Sequence, residues 1–157
     1  MTIFSKMLSR ILVPYDGSKH SQKALLRAME LAHNLDSQIF LFSVISTEYI
    51  SPPGILGLVR TRTEKESLKT WADSVRARNE KMLKCAVEKC QERGITVSYR
   101  MERGNVTSKI LDFAQKKKIS LIVIGSHGLH GIGKIKSLGS VSRRISEHAS
   151  CPVLLVR

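Results

Sequence analysis

The residues best suited to chemistry form a glycine-rich stretch near the carboxyl end of the chain. Four glycines fall within nine residues directly after an apolar run, at positions 125, 128, 131 and 133. Because glycine has no Cβ, the backbone N–H groups of such a stretch can approach a phosphate closely. Gly139 and Ser140 then open a predicted helix, whose free N–H groups and dipole favour an anion. The stretch predicts a phosphate-binding loop, with a surface loop that merely caps a helix as the alternative.

Segment 128–134 of this stretch also fits the P-loop spacing G-x-x-x-x-G-K. The P-loop requires Ser or Thr next, to bind magnesium, whereas position 135 is Ile. The segment also follows a late predicted strand, with only one short helix after it. The G-x-G-x-x-G fingerprint of dinucleotide-binding proteins does not occur in the sequence. We therefore expect neither a P-loop NTPase nor a dinucleotide-dependent enzyme.

A second candidate, Asp16, lies in a turn cluster that follows the apolar run 11–14. Its carboxylate could accept hydrogen bonds from a ribose or a base amine, but Asp is equally common in Asx turns and helix starts. In doubly wound α/β folds, ligands bind at the carboxyl ends of strands, where the strand order reverses. The turn of Asp16 and the glycine stretch both follow strands, so together they favour a binding site.

Other reactive side chains show no such pattern. His127 and His130 are three apart, but no third metal ligand lies near them, so we interpret His127 as a loop group facing phosphate or solvent. The histidines at 20, 33 and 148 lie on predicted helices and are interpreted as solvated or capping groups. The three cysteines, at 85, 90 and 151, follow neither a C-x-x-C nor a zinc spacing. We assign no catalytic residue and no protein-bound metal; a weak ATPase remains open.

The elements that must position these residues alternate between strand and helix patterns, without internal repeats. The expected strands are 11–14, 38–45, 95–101, 119–124 and 151–156, and the expected helices begin near 18, 63, 105 and 140. Five strands separated by four helices predict a parallel sheet covered by helices on both faces, in one domain over 1–157. A long loop, 46–60, precedes the second helix, on which Trp71 is expected to make a core or partner contact.

Charge is the unusual feature of the composition, with 26 Lys and Arg against 13 Asp and Glu. From residue 99 to residue 157 there are eleven basic and three acidic side chains. That half should carry a positive field, which suits polyphosphate or an acidic protein partner, with plain solvated faces as the alternative. Basic and aromatic residues are not interleaved as on nucleic-acid surfaces, so nucleic acid is not an expected partner.

The apolar runs are of strand length, far below the about 20 residues that a membrane helix needs. The first residues lack the apolar stretch and small-residue cleavage pattern of a signal peptide. The odd cysteine count does not suggest a disulfide framework. We expect a cytoplasmic protein that does not act at a membrane.

Taken together, these segments resemble the universal stress proteins over essentially the whole chain. The segments that carry the resemblance are 11–18, 104–105, 121–128, 139–141 and 151–157. The ATP-binding branch of that family has the pattern G-x2-G-x9-G-S/T after its fourth strand. Here Gly125-x2-Gly128 matches, and ten residues separate Gly128 from Gly139, one more than in the pattern. The resemblance implies a Rossmann-like, doubly wound sheet with strand order 3-2-1-4-5.

The resemblance also implies an adenine nucleotide at the switch point, with ATP expected first, ADP or AMP as alternatives, and Mg²⁺ held only through the phosphates. Asp16 would contact the adenosine and Val44 the adenine, while Gly125 and Gly128 would line the ribose and first phosphates. Members of the family pair their last strands as homodimers, here Pro152 to Val156. The cofactor-binding residues that it implies are Pro14, Tyr15, Asp16, Val44, Ile124, Gly125, His127, Gly128, Gly139, Ser140, Val141 and Ser142.

Two functions follow as hypotheses. The first is a regulatory protein that binds adenine nucleotide and at most hydrolyses it slowly. The second is a dimeric interaction protein of the non-nucleotide branch, whose basic face would engage an acidic partner. The additional loop residue favours the second function, whereas Asp16 and the Gly139-Ser140 pair favour the first.

Overall fold

The computed structural model describes residues 8–46, 62–128 and 138–157 of the chain. Within these ranges, strands and helices alternate as the sequence predicts. They are β1 (Arg10–Pro14), α1 (Lys19–Leu35), β2 (Gln38–Ser46), α2 (Arg62–Gln91), β3 (Val97–Gly104), α3 (Val106–Lys116), β4 (Leu121–Gly125), α4 (Ser140–His148) and β5 (Val153–Val156). No helix in these ranges is both long and apolar enough to cross a lipid bilayer.

The five strands form one sheet in the order β3-β2-β1-β4-β5, and all four neighbouring pairs are parallel. The predicted fold class and strand order are therefore confirmed. From β1 the chain winds outward to β3, then returns to the other side of β1 to form β4. The carboxyl ends of β1 and β4 thus flank the point where the winding reverses, which is where this architecture leaves a crevice.

Each face of the sheet carries its own hydrophobic core, because successive strand residues point to opposite faces. Val13 packs with α1 and α2, whereas the neighbouring Leu12 packs with α3 and α4. On the second face, Phe42 of β2 stacks on Phe113 of α3 with ring centroids 4.5 Å apart. These two layers hold the strand ends, and so the loops that follow them, in fixed relative positions.

The helices that matter for the site begin at side-chain caps. Ser18 accepts a hydrogen bond from the backbone N–H of Ser21 at 3.1 Å and so caps α1, which the sequence predicts to begin near residue 18. Asn105 caps α3 by accepting from the N–H of Ser108, at the predicted start of that helix. Thr63, near which the sequence predicts α2 to begin, lies inside that helix.

The strand boundaries differ from the prediction mainly at the edges of the sheet. The strand β3 begins at Val97 and continues to Gly104, because it follows β2 in register as far as Ser46. The strand β5 starts only at Val153, after Pro152, which has no N–H to donate to a ladder. The predicted loop 46–60 lies, beyond Ser46, outside the described residues.

Candidate functional site

Asp16 and Gly128 meet at the carboxyl edge of the sheet. Asp16 follows β1 and Gly128 follows β4, and these two strands are neighbours. A Cβ built on Gly128 would lie 2.9 Å from the Oδ2 atom of Asp16, closer than an ordinary contact, so a side chain at this position would displace the carboxylate. The structure therefore brings together the two turns that the sequence singled out separately. A side chain at position 128 would occupy the space beside the Asp16 carboxylate.

The turn around Asp16 is built by its other carboxylate oxygen. The Oδ1 atom accepts a hydrogen bond from the backbone N–H of Ser18 at 3.0 Å, which is the Asx turn that the sequence held open. Gly17 has a φ of 79°, a conformation that L side chains rarely adopt. The turn and the binding interpretation are compatible, because one oxygen shapes the turn while the other faces the glycine loop.

The two residues before Asp16 differ in the groups that they can present to a ligand. Pro14 is half-buried at the end of β1, and the N–H of Tyr15 donates to the carbonyl of Phe42 at 2.9 Å. The Tyr15 ring lies in the core, where burial, followed by the charge of Asp16, raises the pKa of its hydroxyl. A ligand beside Asp16 would accordingly meet the Tyr15 backbone rather than its phenol.

Two of the implied contact residues lie in strands. Val44, near the end of β2, is half-buried and packs against the core of the second face. Ile124, in β4, is buried in that same core. Since the Ile124 side chain is enclosed by the sheet and its helices, any contribution of Ile124 to a ligand is through its backbone.

Gly125, the last residue of β4, packs against the start of α1. A Cβ on Gly125 would lie 2.6 Å from the carbonyl carbon of His20 and 2.8 Å from its Cβ. The next residue, Ser126, donates its N–H to the carbonyl of Val156 at 2.8 Å. Gly125 therefore permits the close packing of α1 on β4, which is a structural reason for this glycine beside any role in binding.

The two ends of the glycine loop are joined by hydrogen bonds between the start of α4 and Ser126. The N–H of Gly139 donates to the Ser126 carbonyl at 2.8 Å, and the Ser142 hydroxyl lies 2.8 Å from that oxygen and 3.0 Å from the Gly139 carbonyl. Ser142 is buried, and its hydroxyl proton is directed at these carbonyls. Its backbone N–H, rather than its hydroxyl, is thus the group suited to a phosphate.

The start of α4 is consequently held beside the turn after β4. Gly139 is its N-cap and makes no side-chain capping hydrogen bond, and the first turn contains no acidic residue. Ser140 is exposed and Val141 half-buried, so the amide groups of the first turn lie near the surface. Free N–H groups and the positive end of the helix dipole favour an anion at such a position.

A pair of histidines lies at the same edge, and the sequence predicted only one of them. The rings of His20 and His127 have centroids 5.3 Å apart and planes inclined by 52°. The Nδ1 atom of His127 also lies 3.1 Å from the Ser126 hydroxyl oxygen. His20, which the sequence assigned to solvent or capping, therefore lies beside a residue of the candidate site. No spacing in the sequence could reveal this, because α1 and β4 meet only through the tertiary fold.

Part of the predicted loop lies outside the described residues, namely 129–137, which include Gly131, Gly133 and His130 and all but one of the residues between Gly128 and Gly139. Within the described ranges, no group of three or more His, Cys, Asp or Glu side chains could hold a metal ion. Trp71 is 45% exposed, which argues against the core contact expected for it, while the alternative partner contact stays a prediction. It lines a cavity of about 250 Å³ at the ends of β2 and β3, together with Ile45, Arg76 and Arg103.

A family model described as the universal stress protein family matches residues 7–157. The chain belongs to the universal stress protein family. It is 33% identical over 151 residues to the universal stress protein YxiE of Bacillus subtilis, covering 96% of this chain and 100% of that one. It is also 30% identical over 151 residues to the universal stress protein MJ0531 of Methanocaldococcus jannaschii, covering 96% and 83%.

Solved structures of universal stress proteins share the fold. UspA from Lactobacillus plantarum superposes with a TM-score of 0.79 at 22% identity, covering 96% of this chain and 98% of that one. A universal stress protein in complex with cAMP has a TM-score of 0.67 at 19% identity, covering 96% and 97%. A family member from Arabidopsis thaliana with AMP bound has a TM-score of 0.61 at 19% identity, covering 94% and 90%.

Proposed function

We propose that this universal stress protein is a regulatory protein that binds an adenine nucleotide, ATP in preference, in the crevice between β1 and β4. The observation that carries the proposal is the approach of Gly128 to Asp16, where a Cβ would lie 2.9 Å from Oδ2. The crevice thereby combines a carboxylate with backbone that carries no side chain. An adenine nucleotide offers hydroxyl and amine donors to the carboxylate and a phosphate to the bare backbone.

The residues present fit such a ligand from one end to the other. Asp16 and the backbone of Pro14 would hold the adenosine, with Val44 of the adjacent strand against the base. The amides of Gly125 and Gly128 and those at the start of α4 would hold the phosphates, where the helix dipole favours negative charge. Mg²⁺ would be bound only through the phosphates, since the described residues provide no metal site of their own.

Two relatives in fold support an adenine nucleotide, because one is in complex with cAMP and another has AMP bound. The preference for ATP rests on this chain's own sequence, in which Gly125-x2-Gly128 is followed by Gly139-Ser140 at the start of α4. Nucleotide occupancy would then alter contacts to a partner or between subunits. Hydrolysis is expected to be well below about 1 per second, the low end for dedicated enzymes.

A homodimer paired through the last strand is part of the proposal. The strand β5 has β4 on one side only, so its other edge carries backbone groups that the sheet does not pair. Leu154 is 37% exposed on this strand. An exposed apolar edge is an aggregation hazard that self-pairing removes, which favours a second copy of this chain as its partner.

The experiment that tests the nucleotide site is calorimetric titration of the purified protein with ATP, ADP and AMP, each with and without MgCl₂. We expect saturable binding with one site per chain and the highest affinity for ATP. Tighter binding of AMP or ADP would overturn the preference for ATP but not the site. Absence of heat and of a thermal shift with all three nucleotides would overturn the proposed function.

The second candidate function, an interaction protein with a basic face, is favoured by Arg143 and Arg144, which are both exposed on α4. With a formal net charge of +13, the chain would attract an acidic partner through such a surface. Native mass spectrometry separates the two functions. A mass increment equal to a nucleotide supports the first, whereas an unliganded dimer that also fails to bind added nucleotide supports the second.

A further inference from the structure

His20 is fixed in place by the end of β4. It lies in the first turn of α1, and its backbone carbon would be only 2.6 Å from a Cβ at Gly125. Packing this close leaves the backbone of His20 little freedom to move relative to the strand. The His20 side chain therefore extends from a backbone that is fixed at the carboxyl edge of the sheet, next to the turn that contains Gly128.

The ring of His20 lies against that of His127, with centroids 5.3 Å apart. The Nδ1 atom of His127 is engaged with the Ser126 hydroxyl at 3.1 Å, which leaves Nε2 as the nitrogen suited to a ligand. The Cα atom of His127 lies 3.5 Å from the position of a Cβ at Gly139, the N-cap of α4. The backbone of His127 is thus next to the helix start at which the phosphates are proposed to lie, and its ring contacts that of His20.

Hydrogen-bond donors decide what such a pair can do. Each imidazole ring can donate an N–H to a phosphate oxygen. Hydrogen bonds to an ionised phosphate are roughly twice as strong as hydrogen bonds between neutral groups. The two rings together would accordingly bind a ligand with two or three phosphates more tightly than a ligand with one.

Two other charged side chains of this region, Lys23 and Asp16, are less suited to that contact. The Nζ atom of Lys23, one turn along α1, is 3.3 Å from the carbonyl of Arg157 and so reaches towards the end of β5. Asp16 is acidic and would repel the outer phosphates. The pair is also not assigned as a metal site, since no cluster of three ligating side chains is found among the described residues.

We propose that His20, together with His127, binds the outer phosphates and makes the site select nucleoside di- and triphosphates over monophosphates. This inference rests on the proposed function, whose adenosine end involves other residues. It assigns a role to a side chain on α1, an element outside the glycine loop.

The test compares wild type with His20→Ala, His20→Gln and, as a matched control, His33→Ala, which removes an exposed imidazole at the other end of α1. Each protein is titrated with ATP, AMP and adenosine at fixed pH and ionic strength. We expect His20→Ala to weaken ATP binding about tenfold, a size typical of one lost charge-assisted hydrogen bond. Adenosine binding should be unchanged, His20→Gln should recover part of the loss, and His33→Ala should match wild type.

Each outcome is decisive. Equal weakening of ATP, AMP and adenosine in His20→Ala would mean that the residue only shapes the loop, and would overturn the inference while leaving the nucleotide site intact. Unchanged ATP affinity in that variant, with its fold verified by circular dichroism, would overturn it too. If wild type binds none of the three ligands, the proposed function falls, and this inference falls with it.

Discussion

The hydroxyl oxygen of Ser142 lies 2.8 Å from the carbonyl oxygen of Ser126, so a residue in the first turn of α4 is tied to the residue that follows β4. The Gly139 amide donates to the same carbonyl at 2.8 Å. One carbonyl oxygen thereby joins both ends of the glycine loop. These two hydrogen bonds hold the start of α4 against the turn that follows β4.

Ser142→Ala should destabilise the protein by about 1–2 kcal/mol, because a buried hydrogen bond is lost and two carbonyl oxygens lose a donor. Urea denaturation followed by circular dichroism measures the free energy of unfolding. Ser140→Ala is the control, since Ser140 is exposed and its change should stay within about 0.5 kcal/mol. Equal stabilities for the two variants would show that the Ser142 bond does not hold the loop.

Asp16→Asn should distinguish the role of Asp16 in the turn from its role in ligand binding. The amide oxygen of Asn can still accept from the Ser18 N–H, so the free energy of unfolding should change by less than about 0.5 kcal/mol. The lost charge and acceptor should nevertheless weaken ATP binding about tenfold. Calorimetry measures the affinity, with the exposed Asp112→Asn on α3 as control. Wild-type affinity in Asp16→Asn would remove Asp16 from the site.

Gly128→Val should abolish most nucleotide binding without unfolding the protein. The new side chain would start 2.9 Å from Oδ2 of Asp16 and occupy the crevice, yet Gly128 is exposed and its φ is not positive. We expect at least about a tenfold loss of ATP affinity with little change in melting temperature. A variant that melts as wild type does and binds ATP normally would place the nucleotide elsewhere.

Leu154→Glu should convert the proposed dimer into a monomer. A charge on the exposed face of β5 opposes the approach of a second, identical strand, since each copy would bring the same charge. Light scattering after size-exclusion chromatography measures the mass. Leu26→Glu, at another exposed leucine on α1, is the matched control and should leave the mass unchanged. A wild-type monomer, or a Leu154→Glu dimer, would exclude pairing through this strand.

The fold could be predicted from the sequence almost in full. Apolar runs of strand length alternate with helical patterns, and parallel strands joined by helices leave few arrangements open. Edge strands were predicted less well: β3 runs to Gly104 and β5 begins at Val153, because the partner strand decides where an edge ladder starts and stops. Helical spacing does not show which turns of a long helix reach the sheet, so the sequence left a core and a partner contact open for Trp71, and its 45% exposure argues against the core.

For the candidate site, the sequence by itself determined the turn at Asp16, the glycines at 125, 128 and 139, and the cap of α3 at Asn105, since each depends on neighbours within a few residues. Only the tertiary structure decided that Gly128 lies against Asp16, that Ser142 ties the loop to Ser126, and that His20 lies against His127. These contacts join residues on different elements. The packing of helices on the sheet sets such distances, and local sequence patterns do not encode them.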